Sequence, residues 1–158
     1  MVCRRARRRS WREPESFKEY VDRDAFILAK RPIYIHRSRN LLCTEVGEHR
    51  TLTDSLDRLL ESGLLVPLDI ENSYFSWTKR PATRRVGFCN RLMRVVGISK
   101  VLDSPDIPEW VLDYVVYHES LHLRQRYTHG AAHDAEFRKW EHTYPRWVEA
   151  EDFLRRLQ

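Results

Sequence analysis

The sequence predicts an α+β fold in one domain, a small antiparallel sheet packed on a single central helix with further helices after it. Three observations predict it. Residues 107–125 are apolar almost all round a helical wheel, which marks a helix buried on several sides. Ahead of it, residues 74–78, 86–89 and 94–98 are short β-branched and aromatic runs separated by turn chemistry. Behind it, two amphipathic segments are divided by Pro145.

Taken in order, residues 1–14 form a basic tail expected to be disordered, and 15–158 the single domain. Six of the 28 basic residues lie in residues 1–12, where no acid occurs. The net charge of +5 is therefore a property of the tail, because the other 22 basic residues face 23 acids. Such an arginine-rich start suits a solvated arm or a nucleic-acid contact. No apolar run reaches the ~18 residues of a membrane helix, and no apolar stretch follows the basic start as a secretory signal requires. The three cysteines, Cys3, Cys43 and Cys89, are widely spaced. They offer neither a disulfide framework nor a C-x-x-C pair, so the expected compartment is reducing and cytoplasmic.

Residues 15–30 carry apolar positions suited to a short helix that Pro32 should end, since proline drives the preceding residue out of the α region. Residues 33–36 then read as a strand and 41–46 as a possible returning strand. Residues 51–62 predict a helix, with Leu52, Leu56, Leu59 and Leu60 on one face, Thr51 or Thr53 as cap and Gly63 just past the end. Pro67 makes 64–70 an edge strand or an extended link. The three β-runs that follow read as an antiparallel meander. Asp106 and Glu109 have the spacing of a capping box for the central helix, with Pro108 in its first turn. Later helices are expected over 134–144, with Phe137 and Trp140 on one face, and over 147–157.

The chemistry lies on the central helix, where His118, Glu119 and His122 spell H-E-x-x-H. Residues four apart share a helix face, so both imidazoles can reach one ion, and zinc accepts such nitrogens. Glu119 points about 100° away from His118, placed to handle a water rather than to ligate. Buried histidines and a carboxylate on an apolar helix cost desolvation energy unless they are paired or metal-bound. A third ligand is needed, and His129, His133, Asp134, Glu136, Glu141 and His142 all follow at usable spacing. Spacing alone does not choose among them, although His142 falls late in its helix where exposure is the ordinary outcome.

The C-terminal half resembles the SprT-like zinc metallopeptidases, including the minimal members related to the YgjP group. The resemblance rests on Arg85-Val86-Gly87-Phe88, on Arg94 to Ser99, and on Pro108 to Tyr117 running into His118-Glu119-Ser120-Leu121-His122. It continues in His133-Asp134-Ala135-Glu136-Phe137 and Tyr144-Pro145. It implies a zincin-like domain holding Zn²⁺ through His118, His122 and His133, with Glu119 as general base in peptide-bond hydrolysis. The implied partner is a polypeptide substrate, paired to a strand most plausibly over 94–98. Tyr117, Tyr127, His129, Tyr144 and several arginines are candidates to assist an oxyanion. The zinc ribbon of larger relatives is not in this sequence. Two other readings compete: a zinc-dependent RNA hydrolase, which the basic tail favours, and a non-catalytic zinc-stabilised binding module, against which the intact Glu119 argues.

Overall fold

A computed structural model describes residues 24–125 and 131–158. The helices are α1 (Asp24–Arg37), α2 (Leu52–Glu61), α3 (Pro67–Ile70), α4 (Glu109–Arg124), α5 (Ala135–Glu141) and α6 (Trp147–Leu157). The strands are β1 (Tyr74–Trp77), β2 (Gly87–Asn90) and β3 (Val95–Ile98), and a short 3₁₀ turn (Lys100–Leu102) leads towards α4. The α+β class is as expected, and α4 is the hub: α2, α3, α5, α6, β2 and β3 all pack on it.

The buried face of α4 runs almost without break from Val111 to Leu123, and Val111, Leu112, Val116 and Leu121 are sealed from solvent. Two polar clamps hold its ends. Near the start, Asp113 accepts both Nε (2.9 Å) and Nη2 (2.7 Å) of Arg58 on α2, with Ser55 donating to the same carboxylate. At the end, Arg124 forks onto Asp69 of α3 at 2.9 and 2.8 Å. Burial alone would raise the Asp69 carboxyl, but Arg124 and the Val66 N–H outweigh it and hold it below its ordinary range. Bidentate guanidinium–carboxylate pairs fix geometry as well as energy.

Several expectations are corrected. The sheet is mixed, in the order β1-β3-β2: β2 and β3 form an antiparallel hairpin, but β1 lies parallel to β3. The connection from β1 to β2 carries the chain past β3, whose Val95, Val96 and Ile98 are completely buried, as suits a central strand. With neighbours on both sides, β3 has no free edge for a substrate, so the strand expected to receive one cannot. Residues 33–36 are helical: α1 runs straight through Pro32. Proline removes one hydrogen bond, but Pro32 faces solvent, and tertiary contacts hold the helix. Phe26, Tyr34 and Ile35 pack with Leu41, Met93 and Val95, and Arg31 Nε donates to Met93 O at 3.0 Å. Of the helix expected over 15–30, residues 24–30 are helical and 15–23 lie outside the described residues, as does the basic tail.

Residues 41–46 form no strand but only two isolated bridges, Leu41 with Thr78 and Val46 with Thr51, because Cys43 turns to a positive φ of 61°. Residues 67–70 are helical rather than extended. Pro67 takes the first helical position, where its missing N–H is harmless, and Asp69 Oδ2 accepts the Val66 N–H. α2 matches its expectation, with Gly63 at φ 74° ending it, although the Thr51 side chain makes no capping bond. The Asp106–Glu109 box does not form: Pro108 itself is the N-cap, in extended backbone, and Asp106 stays exposed. Asp134 does cap α5, accepting Phe137 N–H at 2.8 Å.

Candidate metal centre

His118 and His122 project from one face of α4, and His133 reaches back to them from the residue just before the cap of α5. The three are ordered by depth: His122 is buried, His118 half-buried and His133 exposed. His133 Nε2 lies 3.3 Å from His118 Nε2 and 3.1 Å from His122 Nε2. Ligands at 2.0–2.1 Å around a tetrahedral zinc lie about 3.3 Å apart. His133 Nε2 thus stands from each of the other two at the spacing that such an ion imposes, and all three ligand atoms lie within 4.8 Å of one another.

The other ring nitrogens explain why the Nε2 atoms are the ones turned inwards. His118 Nδ1 lies 2.7 Å from Glu141 Oε1, and His122 Nδ1 lies 3.3 Å from Gln125 Oε1. An Nδ1–H donated to an oxygen leaves Nε2 with its lone pair free, which sets the tautomer a metal needs. Phe137 closes the base, 4.6 Å from the His122 ring in stacked geometry and edge-on to His118 and His133 at 5.1 and 4.8 Å. Asp134 starts the turn that presents His133, and Phe137 one turn later seats it.

Electrostatics sort the ligands. Desolvation, with the nearby His118 second, lowers the His122 pKa to about 4. His133 is lowered by burial and then by His118. Both rings are therefore neutral and ready to ligate at neutral pH. Burial also works against a proton on His118, but the carboxylates of Glu141 and Glu119 overcome it and raise the pKa. A metal entering the site must displace that proton, which makes affinity rise with pH.

Glu119 lines the same hollow as the histidines, 7% exposed, and burial pushes its carboxyl up to about 7 against the pull of His118 and Arg85. β2 crosses directly above it. A Cβ on Gly87 would sit 2.5 Å from Glu119 Oε1, so only glycine lets the strand pass this close. A carboxyl poised near neutrality can both take and return a proton.

Of the other candidates, Glu136 and His142 are exposed and stand apart, the latter stacked on Trp147 at 4.0 Å. Glu141 is no ligand but the hydrogen-bond partner of His118. Tyr117 and Tyr144 spend their hydroxyls on the Trp140 and Trp110 carbonyls at 2.6 and 2.8 Å, so neither serves an oxyanion. Tyr127 and His129 lie outside the described residues. Sequence reasoning missed the outer contacts: Glu141, Gln125, and Tyr114, whose hydroxyl lies 3.2 Å from Glu141 and 2.6 Å from Glu151. A signal existed, since Phe137 and Glu141 are four apart and share the α5 face that meets α4. Glu141→Gln is expected to lower metal affinity by roughly 10- to 100-fold while the far-ultraviolet spectrum stays unchanged. A competition titration with a chromogenic chelator reads it, and unaltered affinity would deny Glu141 its orienting role.

Comparison with family models, curated proteins and solved structures finds no match to this chain.

Proposed function

We propose that the protein is a zinc-dependent metallopeptidase of the SprT-like kind with a zincin-like fold. The observation that carries this reading is the convergence of three imidazoles, with His133 Nε2 3.3 and 3.1 Å from those of His118 and His122, beside a buried carboxyl outside that set. His118, His122 and His133 would hold the ion. Three imidazoles, each neutral once it ligates, would leave a fourth position to water and so suit zinc in a catalytic rather than a purely structural role. When bound there, zinc supplies Lewis acidity to a water and a substrate carbonyl.

The rest is the work of the chain's own side chains. Glu119 accepts a proton from water at the site and returns it to the leaving amine nitrogen, an exchange for which its raised pKa suits it. Glu141 and Gln125 keep the His118 and His122 rings from rotating. β2 is the edge strand on the side of the cleft. Ser99 N–H donates to Val86 O at 2.8 Å, so by alternation Val86, Phe88 and Asn90 bond to β3. The peptide groups of Gly87 and Cys89 are then turned outward, above Glu119, where an extended substrate can add as a further strand.

Incubating the zinc-loaded protein with an unfolded polypeptide and, separately, with RNA, each with and without chelator, tests the reading. Chelator-sensitive fragmentation of the polypeptide alone is the expected result. Cleavage of RNA alone would replace the peptidase by a zinc-dependent RNA hydrolase. Cleavage of neither would leave a zinc-stabilised binding module.

A further inference from the structure

Two hollows meet over Glu119. The larger, about 430 Å³, lies between the segment entering β2 and α6. The smaller, about 320 Å³, extends past Phe88 and Cys89 to His122 and His133. Arg85, Gly87, His118 and Glu119 line both, so they form one cleft that passes over the candidate general base, and Arg85 stands at the pass.

The charges around the larger hollow are not balanced one to one. Arg155 is engaged by Asp152 at 2.9 Å, and the Glu151 carboxylate accepts the Tyr114 hydroxyl at 2.6 Å. Arg84 and Arg85 are exposed, and neither has an ion-pair partner among the described residues. The Arg85 guanidinium sits 5.6 Å over the Phe88 ring. Stacking on a ring face steadies a guanidinium while leaving its in-plane N–H donors free to fork onto a carboxylate.

We propose that Arg84 and Arg85 form a carboxylate-binding subsite, so that the cleft selects polypeptides with an aspartate or glutamate beside the bond presented to Glu119. The inference rests on the peptidase reading above and adds a substrate class to it. A volume of about 430 Å³ accommodates a side chain with its backbone, within the usual range of small-ligand pockets. A nucleic-acid strand is the poorer fit. It brings a negative charge at every nucleotide and needs a run of unopposed cations. Here the two arginines without a salt bridge share the walls with the acids Glu119, which already feels Arg85, and Glu151, while Asp152 holds Arg155.

The test uses peptides identical except for Glu, Gln or Lys at each position flanking a single cleavage site, with the full chain loaded with zinc. Charge-assisted hydrogen bonds of this type correspond to a roughly 10- to 100-fold preference. Glu peptides are thus expected to exceed Gln peptides by that factor in kcat/KM at one position. In the Arg84→Glu/Arg85→Glu double variant the order should invert towards Lys, and Arg85→Lys should give a reduced preference, because charge remains but the fork is lost. A second readout needs no turnover: fluorescence anisotropy of the same peptides on zinc-loaded Glu119→Gln protein, with and without the arginine substitutions. Hydrolysis without acid selectivity overturns the subsite and leaves the peptidase standing. Arginine-dependent binding of acidic peptides without hydrolysis keeps the subsite and overturns the peptidase. Displacement of the acidic peptide by a short RNA at lower concentration overturns the subsite in favour of phosphate recognition. Absence of both hydrolysis and acid-dependent binding overturns both.

Discussion

Replacing Glu119 by glutamine is expected to abolish most turnover while leaving one zinc per chain. The side chain ligates nothing, so the three-histidine set survives, and removing a general acid–base typically costs 10²- to 10⁴-fold in rate. Turnover of Glu119→Gln within a few-fold of the parent would refute the assigned chemistry. The same substitution carries a signature in stability. Burial raises the carboxyl of the metal-free protein from an ordinary value of 4.5 to about 7. Between those values the native state holds more protons than the unfolded chain, so stability falls as pH rises through that window. Glutamine carries no such cost. In the presence of chelator the variant should match the parent at low pH and exceed it by up to about 3 kcal/mol above neutrality. Urea denaturation at pH 4.5 and pH 8 measures both ends, and a parent that gains stability relative to the variant on raising the pH would contradict the buried, neutral carboxyl.

Zinc itself is expected to raise the melting temperature substantially. A ligand that binds only the native state at about 1,000 times its dissociation constant adds about 4 kcal/mol. For a chain of this size that is a shift of roughly 8–16 °C, reversed by chelator. The histidines should differ in what else they cost. His133 is exposed and lies outside the core helix, so His133→Ala should lose the zinc shift yet melt close to the parent without metal. His122 is buried and stacks on Phe137, so His122→Ala should lose the shift and also melt lower without metal. His129→Ala should keep the shift. Differential scanning calorimetry with and without chelator reads all three, and loss of the shift in His129→Ala alone would reassign the third ligand.

The parts of this architecture visible in the sequence are those set by local pattern. The apolar periodicity around residues 107–125 places α4, the H-E-x-x-H spacing puts two imidazoles on one face, and Gly63 ends α2 where the structure does, whereas α5 already stops at Glu141, ahead of Pro145. Misread parts depend on contacts distant in the chain. Pro32 stays inside α1 because Arg31 and Tyr34 find partners about 40 to 60 residues away. The parallel pairing of β1 with β3 is likewise a matter of where an otherwise unpatterned connection crosses. His133 was favoured by resemblance, since spacing left six candidates. Its distinguishing physics is that Phe137 packs under all three rings. Glu141 was legible as a nearby acid, but its role needed the distance to His118.

The two aspartate–arginine clamps on α4 have a consequence for how the molecule comes apart. Both lie on the helix that carries two of the three ligands, one near each end, and both tie it to other helices. Helices ordinarily fray from their termini, which would first disturb the spacing of His118 and His122. Here the ends are fastened, and among the described elements α1, packed on a small separate apolar cluster, is expected to open first. Amide hydrogen exchange in α4 should therefore proceed through global unfolding, whereas α1 exchanges through a cheaper local opening. The order of events on heating or in denaturant is then release of α1 first, with the histidine frame intact until the whole domain melts.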